Sequence, residues 1–487
     1  MYLDRDTIVA IATAPGRGGI GVVRLSGAGA QEVAGPMLRM RQPMTAGRAQ
    51  FGYLLDLSGA TTSEEAEVLD EVVVTYFAGP RSYTGEDVVE IAAHGSPVLL
   101  EAILRGCLDG GARLAEPGEF TQRAFLSGRL DLTQAEAVND LIASTTLHQA
   151  RSAASQMGGA VSREVAPVKE RLLGLIAALE AGIDFAEDDI DVLPRGEILE
   201  RLAVVTSRLL KLESSYAYGR VVRDGFRMAI VGRPNAGKSS LFNALVERER
   251  AIVTAAPGTT RDLVSETIAF EGVPVELMDT AGLRTPESAG GSGTGSLDEA
   301  EVMGVARSRQ AMADADVLLL VIDGTRELHP EDLAILDGNG RAEGGEERGR
   351  AELSKGRLLV VLNKSDLFGA GSAAMAAMVR CERLEVIETS TKNGEGLPAL
   401  RAAVLGLVRG GEATREGALL TNVRQHRAVV AALEALADAR GAAETKLPHE
   451  MLLLDLHRGL RALDELTGTT TSDDILQLIF SSFCIGK

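Results

Sequence analysis

The segment Gly232-Arg233-Pro234-Asn235-Ala236-Gly237-Lys238-Ser239 follows an apolar run, Met228-Ala229-Ile230-Val231, and precedes a helical pattern opening at Ser240-Leu241-Phe242. Strand, Gly-containing loop and helix in that order form a phosphate-binding loop. Backbone N–H groups from Asn235 through Ala236, Gly237, Lys238, Ser239 and Ser240 can cradle phosphates at the positive end of the helix. Lys238 is placed to reach the terminal phosphates, and the Ser239 hydroxyl suits Mg²⁺. A strand that ends in such a loop calls for an α/β layer around it.

Four further elements follow in the order a GTPase needs. The stretch Thr254-Ala255-Ala256-Pro257-Gly258-Thr259-Thr260 lies where a switch loop belongs, and Thr260 is the expected second protein ligand to Mg²⁺. The run Val275-Glu276-Leu277-Met278 ends in Asp279-Thr280-Ala281-Gly282, an acid for the Mg²⁺ water shell with a glycine N–H beside the γ-phosphate. The run 358–362 leads into Asn363-Lys364-Ser365-Asp366. A carboxylate at Asp366 can accept from both N1 and N2 of guanine, a donor pair that adenine lacks. Ser390, Thr391 and Lys392 stand where a loop touches the base oxygen.

Small GTPases place a Gln after the Asp-x-x-Gly element to orient water. This chain has Leu283 there, and no arginine finger is evident. The missing positive charge is expected from a monovalent cation, held by oxygens of Asn235, Thr254, Ala256 and Thr259. Asn235 is also readable as a residue that merely stabilises the loop turn, and both readings stay open. Asn235 and Lys238 are the loop residues expected to take part in catalysis.

The chain is long, 487 residues, so two to four domains are expected. A net charge of −19 gives no general attraction to nucleic acid, and any RNA contact must be local or shared with a partner. Three widely spaced cysteines, Cys107, Cys381 and Cys484, make neither a zinc pattern nor a disulfide framework. A reducing, cytoplasmic setting is expected. The first residues carry early acids and no apolar core, and no uncharged run reaches membrane-spanning length, so neither a signal peptide nor a membrane partner is expected.

Short β-like runs at 22–25, 71–77 and 88–91, followed by a helical stretch at 96–108, predict an α+β domain over 1–125. Apolar residues at helical spacing, as in Val168, Leu172, Leu175, Ile176 and Leu179, mark a helical part over 126–222. The same character returns over 411–487. Between them, 223–410 alternates strand and helix signals. The expected fold is α+β multidomain: an N-terminal α+β domain, a discontinuous helical domain, and an inserted α/β P-loop domain of Ras-like type.

The outer segments carry a more specific signal. Thr13-Ala14-Pro15-Gly16-Arg17-Gly18-Gly19-Ile20-Gly21, Tyr83-Thr84-Gly85-Glu86-Asp87, His94-Gly95, Pro117-Gly118-Glu119-Phe120-Thr121, Asp131-Leu132-Thr133-Gln134 and the ending Cys484-Ile485-Gly486-Lys487 run in one order along the chain. Together they resemble the tRNA-modification GTPase family MnmE (TrmE). The resemblance implies that the N-terminal domain binds folate and forms a homodimer, and that the chain works with the flavoprotein MnmG (GidA). It implies GTP hydrolysis activated by K⁺, and an aminomethyl-type group added to C5 of wobble uridine 34 in tRNA. The one-carbon donor would be a tetrahydrofolate, in its 5-formyl or 5,10-methylene form. Folate contacts are implied at Arg24, Glu90, Arg129 and Lys487, with Cys484 a possible one-carbon site. Arg129 stands where the family often has Lys, which keeps the charge and changes the geometry. A catalytic Glu is implied at Glu301, within Asp298-Glu299-Ala300-Glu301-Val302-Met303-Gly304. The rival class is a GTP-dependent RNA-binding or ribosome-assembly factor, for which a basic appendage would be expected.

Overall fold

A computed structural model describes residues 6–56, 66–184, 193–249, 265–279, 314–336, 357–368, 384–409, 418–470 and 473–486. The chain divides into two compact units, one made of 1–142, 153–210 and 427–487, the other of 143–152 and 211–426.

The first unit holds a seven-stranded sheet. Its strands are β1 (Ile8–Ile11), β2 (Gly18–Ser26), β3 (Leu38–Met40), β4 (Ala49–Asp56), β5 (Glu67–Phe77), β6 (Val88–Gly95) and β7 (Arg113–Leu114). The order is β3-β4-β5-β6-β2-β1-β7, antiparallel except for the β1–β7 pair. Helix Pro97–Asp109 packs on one face through Leu100, Ile103 and Cys107 against Val9, Val23, Val89 and Ile91. Burial pushes the Cys107 thiol up to about 12, so it stays a neutral apolar filler. β4 and β5 keep an apolar outer surface, with Phe51 and Val73 directly paired and both over two-fifths exposed.

Long helices follow. Ala160–Asp184 buries the expected row Val168, Leu172, Leu175, Ile176 and Leu179 and packs on helix His449–Thr467. Helices Glu119–Leu126 and Asp473–Ser481 also pack together. They bring the chain's late residues to the N-terminal sheet. Pro117 bridges to Ile485, and the Gly118 amide donates to the Cys484 carbonyl over 3.4 Å.

The second unit holds six strands: β8 (Phe226–Val231), β9 (Ser265–Phe270), β10 (Val273–Asp279), β11 (Val317–Asp323), β12 (Arg357–Asn363) and β13 (Val386–Glu388). The order is β13-β12-β11-β8-β10-β9, parallel except for the β9–β10 hairpin. Central strands β8, β11 and β12 carry continuous buried apolar runs at 228–231, 317–322 and 359–362, as a parallel sheet covered on both faces requires. Residues 143–152 and 211–222, which the sequence pattern assigns to the helical part, cluster with this sheet. The contacts explain why. Buried Thr146 donates its hydroxyl to the Gly272 carbonyl in the β9–β10 turn (2.6 Å), and Gln149 donates to the Arg223 carbonyl (2.7 Å).

Candidate functional site

Strand β8 delivers the phosphate-binding loop at the carboxyl edge of the parallel sheet, the edge where open α/β sheets bind ligands. Gly237 has φ +95, and any side chain there would overlap the Asn363 amide. Asn235 sits at φ +66, a left-handed turn that Asn tolerates better than most residues. Lys238 and Ser239 open helix Lys238–Glu249, and the buried Lys238 ammonium donates to the Arg233 carbonyl over 3.0 Å.

The elements expected to read the base meet this loop. Asn363 ends β12, is 1% exposed, and donates its amide to the Ala236 carbonyl over 3.0 Å. Lys364, at φ +68, donates to the Asn235 carbonyl over 3.0 Å. Ser390 donates its hydroxyl to Asp366 over 2.7 Å, and the Ser365 amide donates to the Thr389 carbonyl over 3.0 Å. Thr391 and Lys392 continue in the turn after Ser390. Asp279 ends β10 in register with Ile230. Thr254, Ala255, Ala256, Pro257, Gly258, Thr259, Thr260, Thr280, Ala281, Gly282, Glu301 and Lys487 lie outside the described residues.

One residue of this edge escaped sequence reading. Asp323 ends β11 level with Asn363, and Lys364 donates to it over 2.7 Å. Burial opposes its ionisation. The Lys364 ammonium and the hydroxyl and amide of Thr325 outweigh that cost and hold the carboxyl below the usual range. The signal was available as an acid closing the apolar run 317–322, in the same pattern as Asp279.

The N-terminal sheet assembles a second polar centre. Arg24 and Glu90 are cross-strand partners on β2 and β6. The guanidinium meets Glu90 Oε1 through Nε (2.8 Å) and Nη2 (2.7 Å), and Nη1 donates to the Gly486 carbonyl over 3.4 Å. It lies 5.7 Å from the Tyr83 ring centroid and 5.8 Å from that of Phe120, within cation–π reach. Burial raises the Tyr83 phenol, partly offset by its Thr121 hydrogen bond and by Arg24. Glu90 Oε2 has no partner among the described residues, and the side chain is 28% exposed. Gly486 sits at φ +96, where a side chain would press on the Ile11 carbonyl. Cys484 is exposed beside it. Arg129 is exposed after helix Glu119–Leu126, with its stem beside Gly85. His94 is paired with Asp70 (Nδ1 to Oδ1, 2.6 Å), so the imidazole ends strand β6 with a carboxylate partner.

Beneath this centre lies an ion network that the motif reading did not resolve. Arg123 meets Asp6 (2.7 Å), Glu119 (2.9 Å) and Glu86 (3.1 Å), while Arg113 meets Asp6 (2.8 Å) and Glu119 (2.7 Å). Burial opposes ionisation of Glu119 and Asp6, but the two guanidiniums win and hold both carboxyls below their usual range.

Two family models cover these units. The "MnmE helical domain" matches residues 132–484, and "GTP-binding protein TrmE N-terminus" matches 7–129. The tRNA modification GTPase MnmE of Koribacter versatilis (strain Ellin345) is 53% identical over 491 residues, covering 100% of both chains. The chain belongs to the MnmE family. The MnmE of Aquifex aeolicus (strain VF5) is 39% identical over 484 residues, covering 99% of this chain and 100% of its own. As an MnmE-family member, the chain is a GTP-hydrolysing enzyme of tRNA modification. Among solved structures, Aquifex aeolicus Era bound to GDP.AlF4⁻ shares 24% identity with a TM-score of 0.29, covering 43% of this chain and 66% of its own. The G domain of T. maritima FeoB shares 22% with a TM-score of 0.25, covering 37% and 98%. These scores are too low to add to the family match. No helix among the described residues is long and apolar enough to cross a membrane.

Proposed function

We propose that this chain is a K⁺-activated GTPase that acts with a flavoprotein partner of the MnmG type. Together they add a carboxymethylaminomethyl or aminomethyl-type group to C5 of wobble uridine 34 in tRNA. A tetrahydrofolate supplies the one-carbon unit. The observation that carries this reading is the meeting of Arg24, Glu90 and the turn at Gly486, with Arg24 and Gly486 462 positions apart in sequence.

The donor set fits a folate. Glu90 presents one carboxylate oxygen fixed by Arg24 and a second with no partner among the described residues, which suits a pair of pterin N–H donors. Arg24, with Arg129 and Lys487 as further cations, suits the carboxylates of a folate tail. The exposed Phe51–Val73 pair supports dimerisation through the N-terminal sheet. A sequence with Leu283 in place of Gln, and a phosphate loop with Asn235 at a left-handed turn, support a cation as the source of positive charge.

Glu90→Gln is expected to weaken 5-formyl-tetrahydrofolate binding about thirtyfold, because one acceptor becomes a donor facing a donor. Isothermal calorimetry reads this directly, and an unchanged dissociation constant removes Glu90 from the site. GTP turnover in K⁺ is expected to exceed turnover in Na⁺ about tenfold or more at equal ionic strength, with the difference abolished by Asn235→Ala. Equal wild-type rates in the two salts would end the cation reading.

A further inference from the structure

We propose that Asp323 is a positioning residue for nucleotide binding. It aims Lys364 at the main chain of the phosphate loop and so ties base recognition to the loop that holds the phosphates. Each carboxylate oxygen has its own work. Oδ1 accepts from the Thr325 amide (3.1 Å) and hydroxyl (2.6 Å), a local turn that fixes the carboxylate plane. Oδ2 accepts from the Lys364 ammonium (2.7 Å). The same ammonium donates to the Asn235 carbonyl (3.0 Å).

Geometry gives the reason the carboxylate is needed. The Lys364 side chain is one-third exposed, and a flexible, strongly hydrated ammonium in that position gains by turning to water. A charge-assisted bond to a carboxylate already locked by Thr325 removes that freedom. Lys364 also occupies the left-handed region, so its stem depends on such anchors to stay where the base-reading loop needs it. The backbone seals the arrangement, since the Gly324 amide donates to the Asn363 carbonyl over 3.0 Å. Arg326 is no substitute, standing 3.9 Å from Oδ2 with its side chain 76% exposed.

The lysine ends on the carbonyl of Asn235, whose side chain is the candidate K⁺ ligand. Loss of Asp323 therefore loosens the cation ligand as well as the nucleotide site. This second consequence rests on the cation reading above, and the first does not.

The test uses the full chain. Titration with a fluorescent GDP analogue at fixed Mg²⁺ is expected to show binding about tenfold weaker in Asp323→Asn, the scale of a lost charged hydrogen bond. Thr325→Val, a surface change that removes the hydroxyl bond to Oδ1 and keeps the amide bond, is expected to weaken binding in the same direction by about two- to fivefold. Asp323→Glu, which keeps the charge, is expected to recover binding to within about threefold of wild type. Adding Asp323→Asn to Lys364→Met is expected to change affinity by less than about twofold, because the aspartate acts through the lysine. The preference for guanine over inosine nucleotides stays, because Asp366 is intact. Unchanged GDP affinity in Asp323→Asn, or full additivity with Lys364→Met, overturns the proposal. The half-activating K⁺ concentration is expected to rise about threefold or more in Asp323→Asn. Wild-type turnover that ignores K⁺ would sink the cation reading, while the affinity and coupling measurements still decide Asp323.

Discussion

Asp366→Asn is expected to weaken GTP binding at least about a hundredfold, while xanthine nucleotides gain affinity. On the proposed base-reading role, the carboxylate accepts where guanine donates. An amide offers a donor in one of those places, and xanthine carries a carbonyl there that can receive it. Ser390 holds Asp366 from behind over 2.7 Å, so the new amide keeps its position and the change is one of polarity. Competition titrations with GDP and XDP against a fluorescent analogue measure the swap. GTP affinity within threefold of wild type would show that the loop reads guanine by other means.

The largest loss of stability is expected from Glu119→Ala. Glu119 and Arg123 side chains are 11% and 12% exposed, and removing the acid leaves two guanidiniums facing each other with too little carboxylate between them. Breaking a buried pair from one side costs about 3–5 kcal/mol. The change also strips an acceptor from the Glu116 amide at the start of helix Glu119–Leu126. Urea unfolding followed by circular dichroism measures it, and a loss under about 1 kcal/mol would show that the network relaxes around the gap. The pH dependence has a fixed sign. Glu119 and Asp6 are held below ordinary values of 4.5 and 3.8. Their contribution is complete above those values and disappears as pH falls through the folded-state values. The wild-type chain is therefore expected to lose stability below about pH 4.5, with a shallower acid limb in the variant.

Much of this was legible in the chain, for reasons that differ by region. Strand-ending motifs carry their own context, so the phosphate loop, Asp279 and Asn363 all fall on the carboxyl edge of one parallel sheet. The row from Val168 to Leu179 has a strict helical period and is buried as that period requires. β4 was missed because it has no clean alternation: Gly52 interrupts it and Phe51 faces outward. The Arg24–Glu90 pair depends on strand register, which side-chain pattern alone does not set. The Asp6–Arg113–Arg123 network joins residues over a hundred positions apart, and no local rule pairs those charges. Asp323 lay in plain view but has no motif around it.

The bridge between Pro117 and Ile485 has a consequence for biosynthesis. The N-terminal sheet emerges from the ribosome early, yet the carbonyl that Arg24 meets at Gly486 is translated hundreds of codons later. Domains fold as they are made, so this sheet waits with an open seam through almost the whole of translation. A message cut short between codons 427 and 483 yields a polypeptide that retains every phosphate-loop residue and lacks the seam's closing piece. Such products would keep the guanine-nucleotide motifs while missing part of the centre around Arg24.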